Sequence, residues 1–227
     1  MRRSLFAAAS VLALAAAPAL AQDSDDVTIN DERDEPVDTA TADEGAPANL
    51  IIGSSGRVVL RNASGPAVRV NSDNDFTLEN GARVEITDLN AEGEDVDLDG
   101  AVGVQVDPGV ESDISHGGLI ALNDSYRASA SEYDEDRIDT DGDGEPDSPD
   151  TEADGPFARD RNKTGLLIGE VDGNYEPVAG QPGMTGTVEM LRSSSVRVAG
   201  QDSYGVRAVT DISGDLLAGG SISVRGE

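Results

Sequence analysis

Residues 203–224 read SYGVRAVTDISGDLLAGGSISV. Two earlier stretches, GPAVRVNSDNDFTLENGARVEI at 65–86 and AVGVQVDPGVESDISHGGLIAL at 101–122, lie over it without gaps. The same columns recur in all three. A small residue (Ala67, Gly103, Gly205) precedes a valine (Val68, Val104, Val206), and Val70, Val106 or Ala208 follows two positions on. Leu78, Ile114 and Leu216 align, with a glycine three positions later (Gly81, Gly117, Gly219). Val84, Ile120 and Ile222, then Ile86, Leu122 and Val224, close the segments.

Alternation of apolar and other residues is the signature of a strand with one face buried. Glycine and small polar residues between such runs supply the sharp corners. A repeat that cannot bury its apolar face alone borrows its core from its neighbours. The fold class this predicts is all-β: a right-handed parallel β-helix, or β-solenoid, in which each aligned segment makes one coil. The copies start unevenly, at positions 65, 101 and 203, so the coils are interrupted, and a degenerate copy is expected between Thr164 and Leu191.

Composition supports an elongated repeat over a globule. Aromatic residues make up 3% of the chain and tryptophan is absent, which stacked Val, Ile and Leu tolerate. No cysteine is present, which excludes disulfides, thiolate metal sites and a thiol nucleophile. Acidic residues number 45 against 16 basic ones, a net charge of −29 that repels nucleic acid and anionic lipid.

The N-terminus has the form of an export signal. Arg2 and Arg3 precede an apolar run from Leu5 to Leu20, and Ala19-Leu20-Ala21 is a small-x-small cleavage site. Residues 1–21 are therefore predicted to be a signal peptide, and no later segment is apolar for long enough to span a membrane as a helix. Cleavage would remove two basic residues and leave 14 against 45 acidic, a balance of −31. Residues 22–49, rich in Asp, Glu, Thr, Ala and Pro, are predicted to be a disordered acidic segment. Residues 50–227 are predicted to be the β-helical region, carrying an acidic insertion at 131–163.

Ser203-Tyr204-Gly205-Val206, followed by Gly219-Gly220-Ser221-Ile222-Ser223-Val224-Arg225-Gly226, resembles the recurring phrase of autotransporter passenger domains. Asn162-Lys163-Thr164-Gly165-Leu166-Leu167-Ile168 is similar to the way such arrays begin. The resemblance covers roughly Leu50 to Glu227. It implies a β-helical passenger exported to the cell surface, the outer membrane or the medium, and joined in that family to a C-terminal barrel. No barrel follows within the 227 residues, so the sequence predicts a fragment of a longer protein or a truncated product, periplasmic in the latter case.

Within the insertion, Asp139-Thr140-Asp141-Gly142-Asp143-Gly144-Glu145-Pro146-Asp147-Ser148-Pro149-Asp150 has the spacing of a calcium loop. Asp139, Asp141, Asp143, Asp147 and Asp150 supply carboxylates, Glu145 its backbone carbonyl, and Gly144 the bend. Position 12 is Asp in place of the longer Glu and no helices flank the loop, so it is nearer to thrombospondin type 3 or dockerin loops than to an EF-hand. A structural Ca²⁺ is the cofactor expected. A solvated Asp/Gly-rich insertion is the simpler alternative.

His116 is the only histidine, and its neighbours Gly117-Gly118 suggest an exposed turn. No nucleophile elbow or phosphate loop is present. The chain is therefore expected to be non-catalytic: a structural or adhesive passenger meeting an unidentified cell-surface or extracellular-matrix component. A β-helical polysaccharide-acting enzyme recruiting Arg192, Arg197 or Arg207, and a secreted calcium-binding spacer, are the competing readings.

Overall fold

The computed structural model describes residues 26–61, 65–88, 96–123 and 160–226. Every named strand pairing among them is parallel, and no helix occurs among the described residues. The chain crosses three sheets in turn, then repeats. The first round is β1 (Asp26–Ile29), β2 (Glu32–Arg33) and β3 (Val37–Asp38); the second is β4 (Asn49–Ile52), β5 (Arg57–Leu60) and β6 (Val68–Val70). The third is β7 (Phe76–Leu78), β8 (Arg83–Ile86) and β9 (Val102–Val106); the fourth is β10 (Ile114–His116), β11 (Leu119–Leu122) and β12 (Thr164–Ile168). The fifth adds a short β13 (Met184–Thr185) before β14 (Val188–Met190), β15 (Ser195–Ala199) and β16 (Tyr204–Ala208). The sixth is β17 (Ile212–Ser213), β18 (Leu216–Ala218) and β19 (Ser221–Arg225).

The sheets follow directly: β1-β4-β7-β10-β14-β18, then β2-β5-β8-β11-β15-β19, then β3-β6-β9-β12-β16, with β13-β17 as a small fourth. This is a stack of parallel sheets consistent with a β-solenoid. Its core is a set of columns. Val27, Leu50, Phe76, Ile114, Val188 and Leu216 form one, and Val58, Val84, Ile120, Val196 and Ile222 another. Between the ends these side chains are almost fully buried, as Phe76 (1% exposed) and Val196 (0%) illustrate. In the sixth round the same columns emerge half-exposed, at Leu216 and Ile222.

A second device runs along the corner entering the first sheet. Asn49 Nδ2 donates to Asp26 Oδ1 (2.9 Å), Asp75 N to Asn49 Oδ1 (3.0 Å), Asp113 N to Asp75 Oδ1 (2.9 Å) and Thr187 N to Asp113 Oδ1 (2.7 Å). Each Asx side chain thus satisfies a group in the next round, where the ladder of backbone bonds has not yet begun.

The glycine column has a steric cause. Gly103, Gly165 and Gly205 are each skipped or buried beside the third sheet's first inward residue. A Cβ at Gly103 would lie 2.6 Å from both Gly165 O and Ile120 Cγ2; one at Gly165 would meet Val196 Cγ1 and lie 2.6 Å from Gly205 O. The third sheet approaches the second too closely there for any side chain.

Four expectations need correction. Residues 26–49 are not disordered: they form the first round, with Ile29 and Ala48 buried and the fully buried Thr39 hydroxyl accepting from the amides of Asn71 and Ser72. Acidic composition is the wrong guide there, because a terminal round borrows its core from the round beneath it. The gap-free alignment of 65–86 with 101–122 slips by two in its middle: Val68 pairs with Val104 and Val84 with Ile120, but Ile114 pairs with Phe76 and not Leu78. A shift of two keeps the same face inward, so the pattern cannot reveal it. A round is also longer than one aligned segment. One round runs from Asp26 to its register partner Asn49, another from Ser195 to Ser221, and the longest from Leu119 to Ser195. The aligned segment omits the connection from the second sheet to the third. Finally, His116 is 1% exposed, in the core column between Leu78 and Met190, because it lies two positions after inward Ile114. The degenerate copy does correspond to strands β12 and β14, and it runs on through β15.

Candidate functional site

Two long connections join the second sheet to the third, 87–101 in the third round and 123–163 in the fourth; another, 169–183, joins the third sheet to β13 in the fifth. The described stems of the first two pack against each other. Leu98 inserts as a fully buried plug, and Gly100, at φ +73°, turns the chain back towards β9. Gly100 N donates to Arg161 O (2.8 Å), and Gln201 N, from the fifth round, donates to Asp160 O (2.9 Å). Three successive rounds are clasped here.

Carboxylates gather around that clasp. One oxygen each from Asp97, Asp99 and Asp160 lies within 4.8 Å of the others. Asp97 and Asp99 are exposed and Asp160 is 7% exposed. Asp97 Oδ1 accepts from Asp99 N (2.9 Å), Asp99 Oδ1 from Arg161 N (2.6 Å) and Asp160 Oδ2 from Leu98 N (3.2 Å). Lys163, 0% exposed, places Nζ 3.4 Å from Asp160 Oδ2, and its own amide donates to Ser203 Oγ (3.0 Å). Carboxylate oxygens are the donor type that Ca²⁺ takes, but three of them are only part of the roughly six to eight it needs. The amide donors and the buried ammonium already offset much of the negative charge, so the arrangement also holds as a polar clasp.

The six residues expected to bind calcium, Asp139, Asp141, Asp143, Glu145, Asp147 and Asp150, lie outside the described residues, as does the signal peptide. The described carboxylates Asp97, Asp99 and Asp160 are not among the residues that sequence reasoning singles out. Asp97-Leu98-Asp99-Gly100 has the same D-x-D-G form as Asp141 to Gly144, which is a usable signal. The meeting of Asp160 with Asp99, across a long stretch of intervening chain, has no such signal. Of the arginines considered for an enzyme, Arg197 is on β15 of the second sheet. Arg207 is on β16 of the third, its guanidinium carbon 4.5 Å from the Tyr204 ring centroid.

Comparison with known protein families, curated proteins and solved structures finds no match to this chain.

Proposed function

We propose that this chain is the N-terminal part of an exported passenger of the autotransporter type, a right-handed β-helix with a structural or adhesive task and no catalysis. The observation that carries this reading is the regular visiting of three parallel sheets through five rounds, with the first two sheets visited a sixth time. Such a stack serves as a rigid spacer, and the connections from the second sheet to the third are where this reading places the contact with a cell-surface or matrix component. A Ca²⁺ held by Asp139, Asp141, Asp143, Glu145, Asp147 and Asp150 would order the longer connection, with the clasp at its base.

The test is to express the chain with its leader in a Gram-negative host and digest intact cells and fractions with protease. The reading expects cleavage after Ala21 and residues 22–227 outside the cytoplasm. Deletion of 124–159 is expected to abolish adhesion to matrix-coated plates and leave the β-type circular dichroism unchanged. Cytoplasmic retention of the uncleaved chain would refute export, and undiminished adhesion of the deletion variant would refute that placement of the contact. Titration calorimetry with Ca²⁺ decides the ion: heat equal to that of an Asp139→Ala, Asp141→Ala, Asp143→Ala triple variant excludes it.

A further inference from the structure

The seam between the fourth and fifth rounds contains a defect. His116 occupies an inward position of β10, with Leu78 beneath it and Met190 above as its register partners. It is 1% exposed, and its two ring nitrogens are buried with no side-chain partner, the Ser195 backbone being the one polar group credited with a weak pull on the ring. Ser194, in the turn that closes over this seam, is 2% exposed and its hydroxyl is likewise without a partner. That turn is fastened to the fourth round by backbone bonds, Leu191 N donating to His116 O (2.8 Å) and Ser195 N to Gly118 O (2.9 Å), and to the sixth by the Ser221 hydroxyl, which donates to Ser194 O (3.5 Å) and Ser195 Oγ (3.2 Å). Buried polar groups are ordinarily satisfied, and an unsatisfied one costs stability. At every other described inward position of this column the residue is Ile29, Ile52, Leu78, Met190 or Ala218.

Among the described residues, the elements packed against the ring turn no charged side chain towards it. From β7 the inward neighbours are Phe76 and Leu78, and from β14 Val188 and Met190; Glu189 pairs with the outward Ser115 position. Across the core, β8, β11 and β15 turn Val84, Ile86, Ile120, Leu122, Val196 and Val198 inward. Glu85, Arg83 and Arg197 sit at the alternate, outward positions, and Glu79 and Arg192 are exposed in the flanking turns.

We propose that His116 is an acid-sensitive latch: on acidification its ring takes up a proton that this seam cannot hold, and the last two rounds, β14 to β19, open from the first four. Burial pushes the ring's pKa down from 6.5 to about 4, with the Ser195 backbone pulling weakly the other way. A base with a depressed folded-state pKa is stabilising only while neutral. The latch is therefore fully closed above pH 6.5 and loses its hold as pH falls towards 4. The open-to-closed ratio rises roughly tenfold per pH unit over that window, about 300-fold in all.

Because His116 is the sole histidine, its titration can be followed by NMR on the whole chain without any substitution. A midpoint near 4 is expected; one at or above 6.5 overturns the proposal. Hydrogen exchange, corrected for intrinsic rates, then reads the opening. Between pH 6.5 and 5 protection over β14, β15 and β19 is expected to fall about 15-fold more in the native chain than in His116→Leu. An equal fall in both proteins refutes the latch.

Discussion

Gly165→Ala tests the closeness of the second and third sheets directly. The added methyl carbon would lie 2.6 Å from Gly205 O and closer still to Val196 Cγ1. Neither neighbour can yield cheaply. The first is backbone in the parallel β12–β16 ladder, and the second is a β-branched side chain with 0% exposure. Overpacking of this kind costs about 1–3 kcal/mol. Gly165 does not occupy the left-handed region, so alanine also gains about 0.4–1 kcal/mol by restricting the unfolded chain. The net loss expected is about 1.3 kcal/mol. With a urea dependence of about 2 kcal/mol per molar, the unfolding midpoint should fall by roughly 0.6 M. Gly205→Ala is the internal control. Its methyl would meet Ile222 Cγ2, but Ile222 is 49% exposed and less confined by neighbours than Val196, so a smaller shift, below roughly 0.4 M, is expected. A Gly165→Ala midpoint within about 0.2 M of the native chain would refute the steric account. So would equal losses in the two variants.

Two further predictions concern polar contacts. Lys163→Met leaves the buried Asp160 carboxylate without its ammonium, a change that costs about 3–5 kcal/mol when a buried pair is broken. A melting temperature lower by roughly 10 °C is expected by calorimetry, and Asp160→Leu added to it should recover only part of that loss, because Leu98 N then loses its acceptor. Asp113→Ala removes the acceptor for Thr187 N and should cost about 1 kcal/mol, with faster exchange of the Thr187 amide; Asp113→Asn keeps an acceptor and should restore both.

The columns are legible in the sequence because strand parity forces apolar residues onto alternate positions: Val68 and Val70, Val104 and Val106, Ile120 and Leu122 are all inward and buried. Parity also sets the limit. It cannot distinguish a partner from one two positions away, which is why a gap-free alignment matches Leu78 to Ile114 when it sits beside His116. Composition outweighs it in the first round, where Val27 and Ile29 alternate within an acidic stretch. His116 misleads in a related way: the glycines after it signal a corner, while its spacing from Ile114 carries the true answer. The clasp is illegible for a different cause. Asp99 and Asp160 meet only because two connections of unequal length leave the same corner, and nothing local in a sequence encodes that coincidence.

The unequal connections have a geometric consequence. Neighbouring strands are spaced about 4.8 Å apart whatever lies between them. The short step from Asp26 to Asn49 and the far longer one from Leu119 to Ser195 therefore add the same height. Six rounds reach only about 24 Å from first strand to last. The height of the described stack counts rounds and not residues, so a connection can lengthen without moving the strands above or below it.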